Sequence, residues 1–432
     1  MNTTDRFHAL DAVRGFALLA GIVLHATLSF FMPVPTADSS HSNALAVLFF
    51  VIHTFRMTLF FIIAGFFARL LIERRGTAGF LENRSTRIAG PMLVAWGILI
   101  PLTTAIIIWS AVRHLPPAAS AATLASLAAA PTALLPHSLK TVPLMHLWFL
   151  YYLCIFYLAA LALYWLFERV IDRYSRVATA LDRAVRTALG SYLAPWALAL
   201  PLFALLGFDD RILVNAGIPT PDLGLNLKVP ALAGFGTAFA LGWFVHRRQT
   251  MLGEWRKRWA GHLIGGAALT VLCLTVLRVA PGAKTGWLLE SAAWSRSLYV
   301  ACYIGSIWYW SFGIIGVALR FFSNESALRR YLADCSYWLY LTHLPLVFFL
   351  QVVFAPLRWH WAVKFPLIVT IALAVLLLSY HYLVRPTWIG KVLNGRKYPV
   401  HRKGTGPPAG PPWSTVPLQD RLVLRSHPDT WR

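Results

Sequence analysis

Acidic side chains are scarce in this chain: 17 Asp and Glu stand against 39 Lys and Arg in 432 residues, and charged residues of both signs make up only 13%. A soluble domain carries about a quarter, so an ordinary water-soluble globule is excluded. Cysteine is rarer still. The four present, Cys154, Cys273, Cys302 and Cys335, all fall in apolar stretches without metal-ligand spacing. That excludes a disulfide framework and leaves them as small packing residues. What is abundant is apolar surface: 58% of residues, among them 27 Phe and 18 Trp.

Stretches long enough to cross a bilayer, about 20 residues each, occur at roughly 13–31, 44–67, 89–111, 147–167, 188–207, 228–246, 260–279, 297–319, 333–355 and 363–384. The chain therefore reads as an all-α, polytopic integral membrane protein of about ten transmembrane helices. The fifth stretch, with Pro195 and Pro201, and the seventh, with Gly261, Gly265 and Gly266, are the weakest and the most open to kinking or partial re-entry. With the N-terminus inside, the turns on that side hold eighteen Lys and Arg against nine on the other, the latter including Arg113, Lys140 and Lys364. That bias places both termini in the cytoplasm. The formal charge of +22 thus encodes topology, and no nucleic-acid partner is expected. The first apolar run is longer than a signal-peptide core and precedes nine more, so it is expected to be retained. Residues 1–389 form the membrane domain. Residues 390–432, with Thr405-Gly-Pro-Pro-Ala-Gly-Pro-Pro412, are expected to be a basic, Pro/Gly-rich, disordered cytoplasmic tail. No internal repeat is evident, which disfavours inverted-repeat transporters.

Ionisable side chains within these stretches are costly in hydrocarbon and mark functional candidates. Arg14 and His25 bracket the first run. Eleven steps of about 100° bring them within roughly 20° of one face, about 16 Å apart along the axis, and Asp11 and Gly21 share that stripe. His53 and Arg56, at i and i+3 in the second stretch, share a face, and His343 lies in the ninth. Three imidazoles and a guanidinium are thus expected in one middle layer. His146, at the outer mouth of the fourth stretch, reads either as an interfacial side chain or as part of the site. A zinc site from His25, His53 and His343 lacks carboxylate or thiolate help, and no metal is expected.

No carboxylate falls deep within a stretch, which leaves paired-carboxylate glycoside chemistry and carboxylate-driven proton coupling without candidates. Histidine remains for proton transfer, its neutral imidazole accepting from a hydroxyl. On the cytoplasmic side Arg14 joins Arg84 and Arg87, whose forks suit phosphates. A phosphate there and a reaction at His25 require a long thin arm between them, as in a coenzyme A thioester.

These residues resemble the membrane-bound acyltransferase family 3. The likeness rests on Arg14 and His25 ten residues apart in the first helix, on Phe55-Arg-Met-Thr-Leu-Phe-Phe-Ile-Ile-Ala-Gly-Phe-Phe67, on Arg84 with Arg87, on His146-Leu-Trp-Phe-Leu150 and on Ser336-Tyr-Trp-Leu-Tyr-Leu-Thr-His343. It covers about residues 6–386, with Thr58 where the pattern has Pro and Ala64 where it has Ser. Within the family the chain is most similar to the glucan biosynthesis protein C group. The resemblance implies an O-acyltransferase of the bacterial inner membrane that moves an acetyl or succinyl group from cytoplasmic acyl-CoA to a hydroxyl of an extracytoplasmic glycan, such as a periplasmic glucan. It implies His25 as base or acyl acceptor, Arg14 on the donor, and Arg84 and Arg87 on its phosphates. Asp11, His53, Arg56, His146, Trp148 and His343 become supporting or acceptor-side residues. Acetyl-CoA or succinyl-CoA would be the donor, with glycan-assembly proteins or a second copy as further partners. A transporter or flippase for an acylated sugar, or a scaffold in glycan assembly, are the alternative classes.

Overall fold

The structure, a computed structural model, describes residues 3–32, 36–113, 140–166, 183, 191–207, 212, 217–277 and 293–394. Helices dominate the described residues; among these no strand forms, and Pro143 pairs with Leu223 in an isolated bridge. The cause is general: in hydrocarbon, backbone polar groups must bond within their own segment. The helices are α1 (Thr3–Thr27), α2 (Asn43–Arg84), α3 (Gly90–Arg113), α4 (Trp148–Leu166), α5 (Ala194–Leu206), α6 (Val229–Arg247), α7 (Thr250–Lys257), α8 (Trp259–Val276), α9 (Ala293–Phe321), α10 (Ala327–Phe354), α11 (Trp361–Ser379) and α12 (Trp388–Asn394). Side chains start several of them. Ser42 accepts from the Leu45 amide at α2, and Ser326 from the Arg329 amide at α10.

Eight continuous helical runs among the described residues are long and apolar enough to cross a membrane, where the sequence suggests about ten. Two features account for the difference. The second run, Asn43–Arg113, is 71 residues long and contains two expected stretches, because α2 and α3 are joined by a π-helical turn, Ser85–Ala89, with no intervening loop. The chain changes course instead at Gly76, whose φ of +67° falls in a region that favours glycine. The fifth stretch forms only the 13-residue α5, which has Pro195 in its first turn and Pro201 inside.

Helix α1 begins at Thr3, ten residues before the apolar run, since a hydropathy window sees only the greasy part of a helix. The helix ends at Thr27, so His25 lies in its last turn. Three faces of α1 pack differently. Leu18, Ile22 and Ala26 join Leu339, Val347 and Leu376 of α10 and α11, while Ala20 and Leu24 meet Ile52 of α2. Between these faces runs the stripe of Arg14, Gly21 and His25. α1 and α10 run in the same direction: Arg14 Nη2 donates to the Ala333 carbonyl at one end (3.0 Å), and Gln351 Nε2 donates to the carbonyls of His25 (3.0 Å) and Ala26 (3.3 Å) at the other.

Lys364 belongs to the interior and not, as its position among the outer-side basic residues suggests, to a solvated loop. Its side chain is fully buried in the first turn of α11, and its Nζ lies 2.7 and 3.0 Å from the two oxygens of Asp38, itself 3% exposed. A buried ammonium is tolerable only with such a partner. The expected boundary at 389/390 falls inside α12, and the expected tail beyond Asn394 lies outside the described residues.

Candidate active site

The His25 ring is 5.1 Å from that of His343 on α10, centre to centre, and His343 is 5.4 Å from His146. Three helix systems supply this row. The 3-10 turn Met145–Leu147 opens α4 with Met145 at a positive φ of 43° and turns His146 inward. His146 is therefore a buried member of the central cluster and not an interfacial side chain; it is 7% exposed, with Nε2 2.9 Å from the Leu341 carbonyl. His53 stacks on Phe49 (5.2 Å) and lines a narrow cavity with Thr54, Thr58, Thr220 and Tyr303.

Hydrogen bonding fixes how two of these imidazoles present themselves. A ring nitrogen facing a carbonyl must carry the hydrogen. His343 Nδ1 donates to the Tyr340 carbonyl (2.7 Å) and His146 Nε2 donates to that of Leu341, so each keeps one lone pair. Those remaining nitrogens, His343 Nε2 and His146 Nδ1, are buried without a hydrogen-bond partner, as is His25 Nδ1. The Tyr340 hydroxyl donates to the His146 carbonyl and ties α10 to the α4 turn.

Arg56 completes the cluster. Its guanidinium is in electrostatic reach of His25, His53, His146 and His343. It lies over Gly21 so closely that a Cβ there would stand 2.5 Å from Nη1. No carboxylate pairs with it among the described residues, and its Nε is buried and unbonded. His25, His53 and Arg56 are half-buried, and of the three it is His53 that lines the cavity described above.

Arg14 lies about three turns from His25 towards the N-terminus of α1. It pairs with Asp11 (3.2 Å) as well as with the Ala333 carbonyl, and about a third of each side chain remains exposed. Between Arg14 and His25 on the stripe stand Leu18, packed against α10 and α11, and Gly21 under Arg56. Arg84 does not meet Arg14 through any described contact. It lies over the rings of Tyr157 (4.9 Å) and Phe80 (5.5 Å), with the half-buried Arg87 nearby in the π-helical turn. That turn abuts α10 one turn on from Ala333, where the Tyr337 hydroxyl donates to the Ile88 carbonyl (3.5 Å). Trp148 packs with Phe235, Phe61 and Tyr152 in the aromatic core and not with the histidines.

Sequence reasoning missed Gln351 and Tyr340, which hold the backbone at His25 and His146. Gln351 also sits 3.1 Å from the Thr36 hydroxyl, which pins the segment after α1. A lone buried amide in an apolar helix was the available signal.

Membrane-length helices that bring four imidazoles and a guanidinium together define a multi-pass membrane protein with a cluster of ionisable side chains. Residues 7–381 match acyltransferase family 3, whose profile is described as an acyltransferase domain; the chain belongs to that family. It is similar to glucans biosynthesis protein C of Escherichia coli strain K12, 35% identical over 101 residues, and of Escherichia coli O1:K1 / APEC, 34% identical over 101 residues. Each match covers 23% of this chain and 25% of the relative. No solved structure matches.

Proposed function

We propose that this acyltransferase moves an acetyl or succinyl group from cytoplasmic acyl-CoA to a hydroxyl of an extracytoplasmic glycan, in the bacterial inner membrane and with both termini in the cytoplasm. The observation that carries the reading is the placement of His25. It is a half-buried imidazole flanked by His343 and Arg56, on the same helical stripe as Arg14, in a member of an acyltransferase family. The partial likeness to glucans biosynthesis protein C supports a glucan as the acceptor.

In this mechanism Arg14, with Arg84 and Arg87, holds the donor's phosphates, and the arm of coenzyme A spans the roughly 16 Å to His25. The acceptor oxygen attacks the thioester carbon while its proton passes to His25 Nε2, and the carbonyl electron pair moves onto oxygen. Collapse breaks the C–S bond, the proton returns from His25 to sulfur, and ester and free coenzyme A leave. A dry interior protects the thioester from water.

The test uses purified protein in proteoliposomes with acetyl-CoA or succinyl-CoA inside and an oligosaccharide outside. Coenzyme A release with acyl mass appearing on the sugar is expected; transport of sugar without thioester cleavage would refute the enzyme. Mass spectrometry of envelope glycans from a deletion strain identifies both the acyl group and its carrier.

A further inference from the structure

Arg56 presents an electrostatic imbalance that the reading above leaves unused. A guanidinium partly withdrawn from water, as the half-buried Arg56 is, loses solvation that an accompanying anion would offset. The described residues supply none: its neighbours are His25, His53, His146, His343 and Tyr340, and its Nε has no hydrogen-bond partner. Elsewhere the same protein does provide counter-ions, Asp11 for Arg14 and Asp38 for Lys364. The positive charge at Arg56 is thus held in place with no fixed negative partner.

Its position is equally specific. Arg56 Nη1 sits in the notch left by Gly21, where a Cβ would lie 2.5 Å from Nη1 and 3.6 Å from the guanidinium carbon, so a side chain there would shift the guanidinium. Gly21 and His25 are i and i+4 on α1, so the notch lies one turn, about 6 Å, below the imidazole on the same face. A group bridging the two would reach Arg56 with one atom and His25 with another.

Resting on the acyltransferase reading, we infer that Arg56, seated over Gly21, binds the anionic oxygen that forms on the acyl carbon during transfer. When the acceptor hydroxyl adds to the thioester, its proton goes to His25 and the carbonyl oxygen takes the electron pair. Arg56 donates to that oxygen until the C–S bond breaks and the carbonyl re-forms. The anion is transient, which is why the protein carries no permanent one. A preorganised cation in a water-poor site stabilises the transition state more than the ground state.

The experiment compares Arg56→Gln, Arg56→Lys and Gly21→Ala in the full-length protein with acetyl-CoA and succinyl-CoA. Arg56→Gln is expected to lower kcat about 10²–10³-fold with both donors while donor KM changes little. Gly21→Ala keeps the charge and displaces it, and is expected to lower kcat in the same way. If Arg56→Gln elutes as an aggregate, Gly21→Ala and Arg56→Lys carry the comparison. A loss confined to succinyl-CoA and expressed in KM would overturn the inference in favour of a carboxylate-binding arginine, and a folded Arg56→Gln with kcat within about threefold of wild type would overturn it outright. Methanesulfonate, a tetrahedral anion, provides a readout without turnover. It is expected to raise the melting temperature of the wild type and not of Arg56→Gln, and no shift in either counts against the inference. Absence of thioester cleavage by the wild type would instead refute the acyltransferase reading.

Discussion

The imidazoles of His25 and His343 stand 5.1 Å apart, centre to centre, and each has a buried nitrogen left over, Nδ1 on His25 and Nε2 on His343. Because the Tyr340 carbonyl takes the Nδ1 hydrogen of His343, its Nε2 can only accept. Neither nitrogen is hydrogen-bonded in the structure; under the proposed chemistry, a hydrogen bond formed from His25 Nδ1 to His343 Nε2 would leave Nε2 of His25 as the basic atom. His343 would then take the orienting part that a carboxylate plays in hydrolytic triads, without adding negative charge.

Replacing His25 by Ala is expected to lower acyl transfer by about 10³-fold or more, the size of a general base's contribution. Size-exclusion chromatography should show an unchanged, folded protein. A well-expressed variant that keeps most of its activity would defeat the mechanism.

For His343→Ala the expected loss is about 10²-fold in kcat with donor KM unchanged, since it removes an orienting contact and not the base. His343→Gln, whose carbonyl oxygen can accept the same hydrogen, should recover part of that loss. Steady-state kinetics of the two variants side by side make the comparison.

Arg14→Ala acts at the donor end, so its expected effect is a rise of about tenfold in acyl-CoA KM, equivalent to one lost phosphate contact. kcat at saturating donor should hold. A variant with normal KM and collapsed kcat would move Arg14 from the donor to the reacting centre.

Lys364→Met strands the Asp38 carboxylate in a buried site and is expected to cost about 3–5 kcal/mol of stability. The double variant with Asp38→Asn should be more stable than Lys364→Met alone, because the uncompensated charge is gone. Melting curves in detergent measure both, and equal destabilisation would show that the pair is not an electrostatic unit.

Much of the site was legible in the sequence because helical periodicity converts spacing into direction. Arg14 and His25 share the stripe that eleven residues predict, and His53 and Arg56 fall together as i, i+3 neighbours should. His146 was ambiguous because its inward turn depends on a single backbone angle at Met145, which no pattern of side chains announces. The Asp38–Lys364 pair joins residues 326 apart, and its signal was a lysine at the edge of an apolar run that charge counting assigned to a loop. Helix ends were misjudged where polar residues extend a helix beyond its apolar part, as Thr3–Asp11 does for α1. Helix number was misjudged where α2 and α3 meet without a loop.

The shared direction of α1 and α10 makes the two ends of the reaction path fixtures of one scaffold. Arg14 is tied to α10 at Ala333, and His25 is tied to the same helix at Gln351. A tilt of either helix carries both stations with it and leaves their separation intact. The pair therefore works as a ruler: under the proposed chemistry, an acyl carrier is admitted by its reach, and a donor with a shorter tether cannot occupy both marks at once.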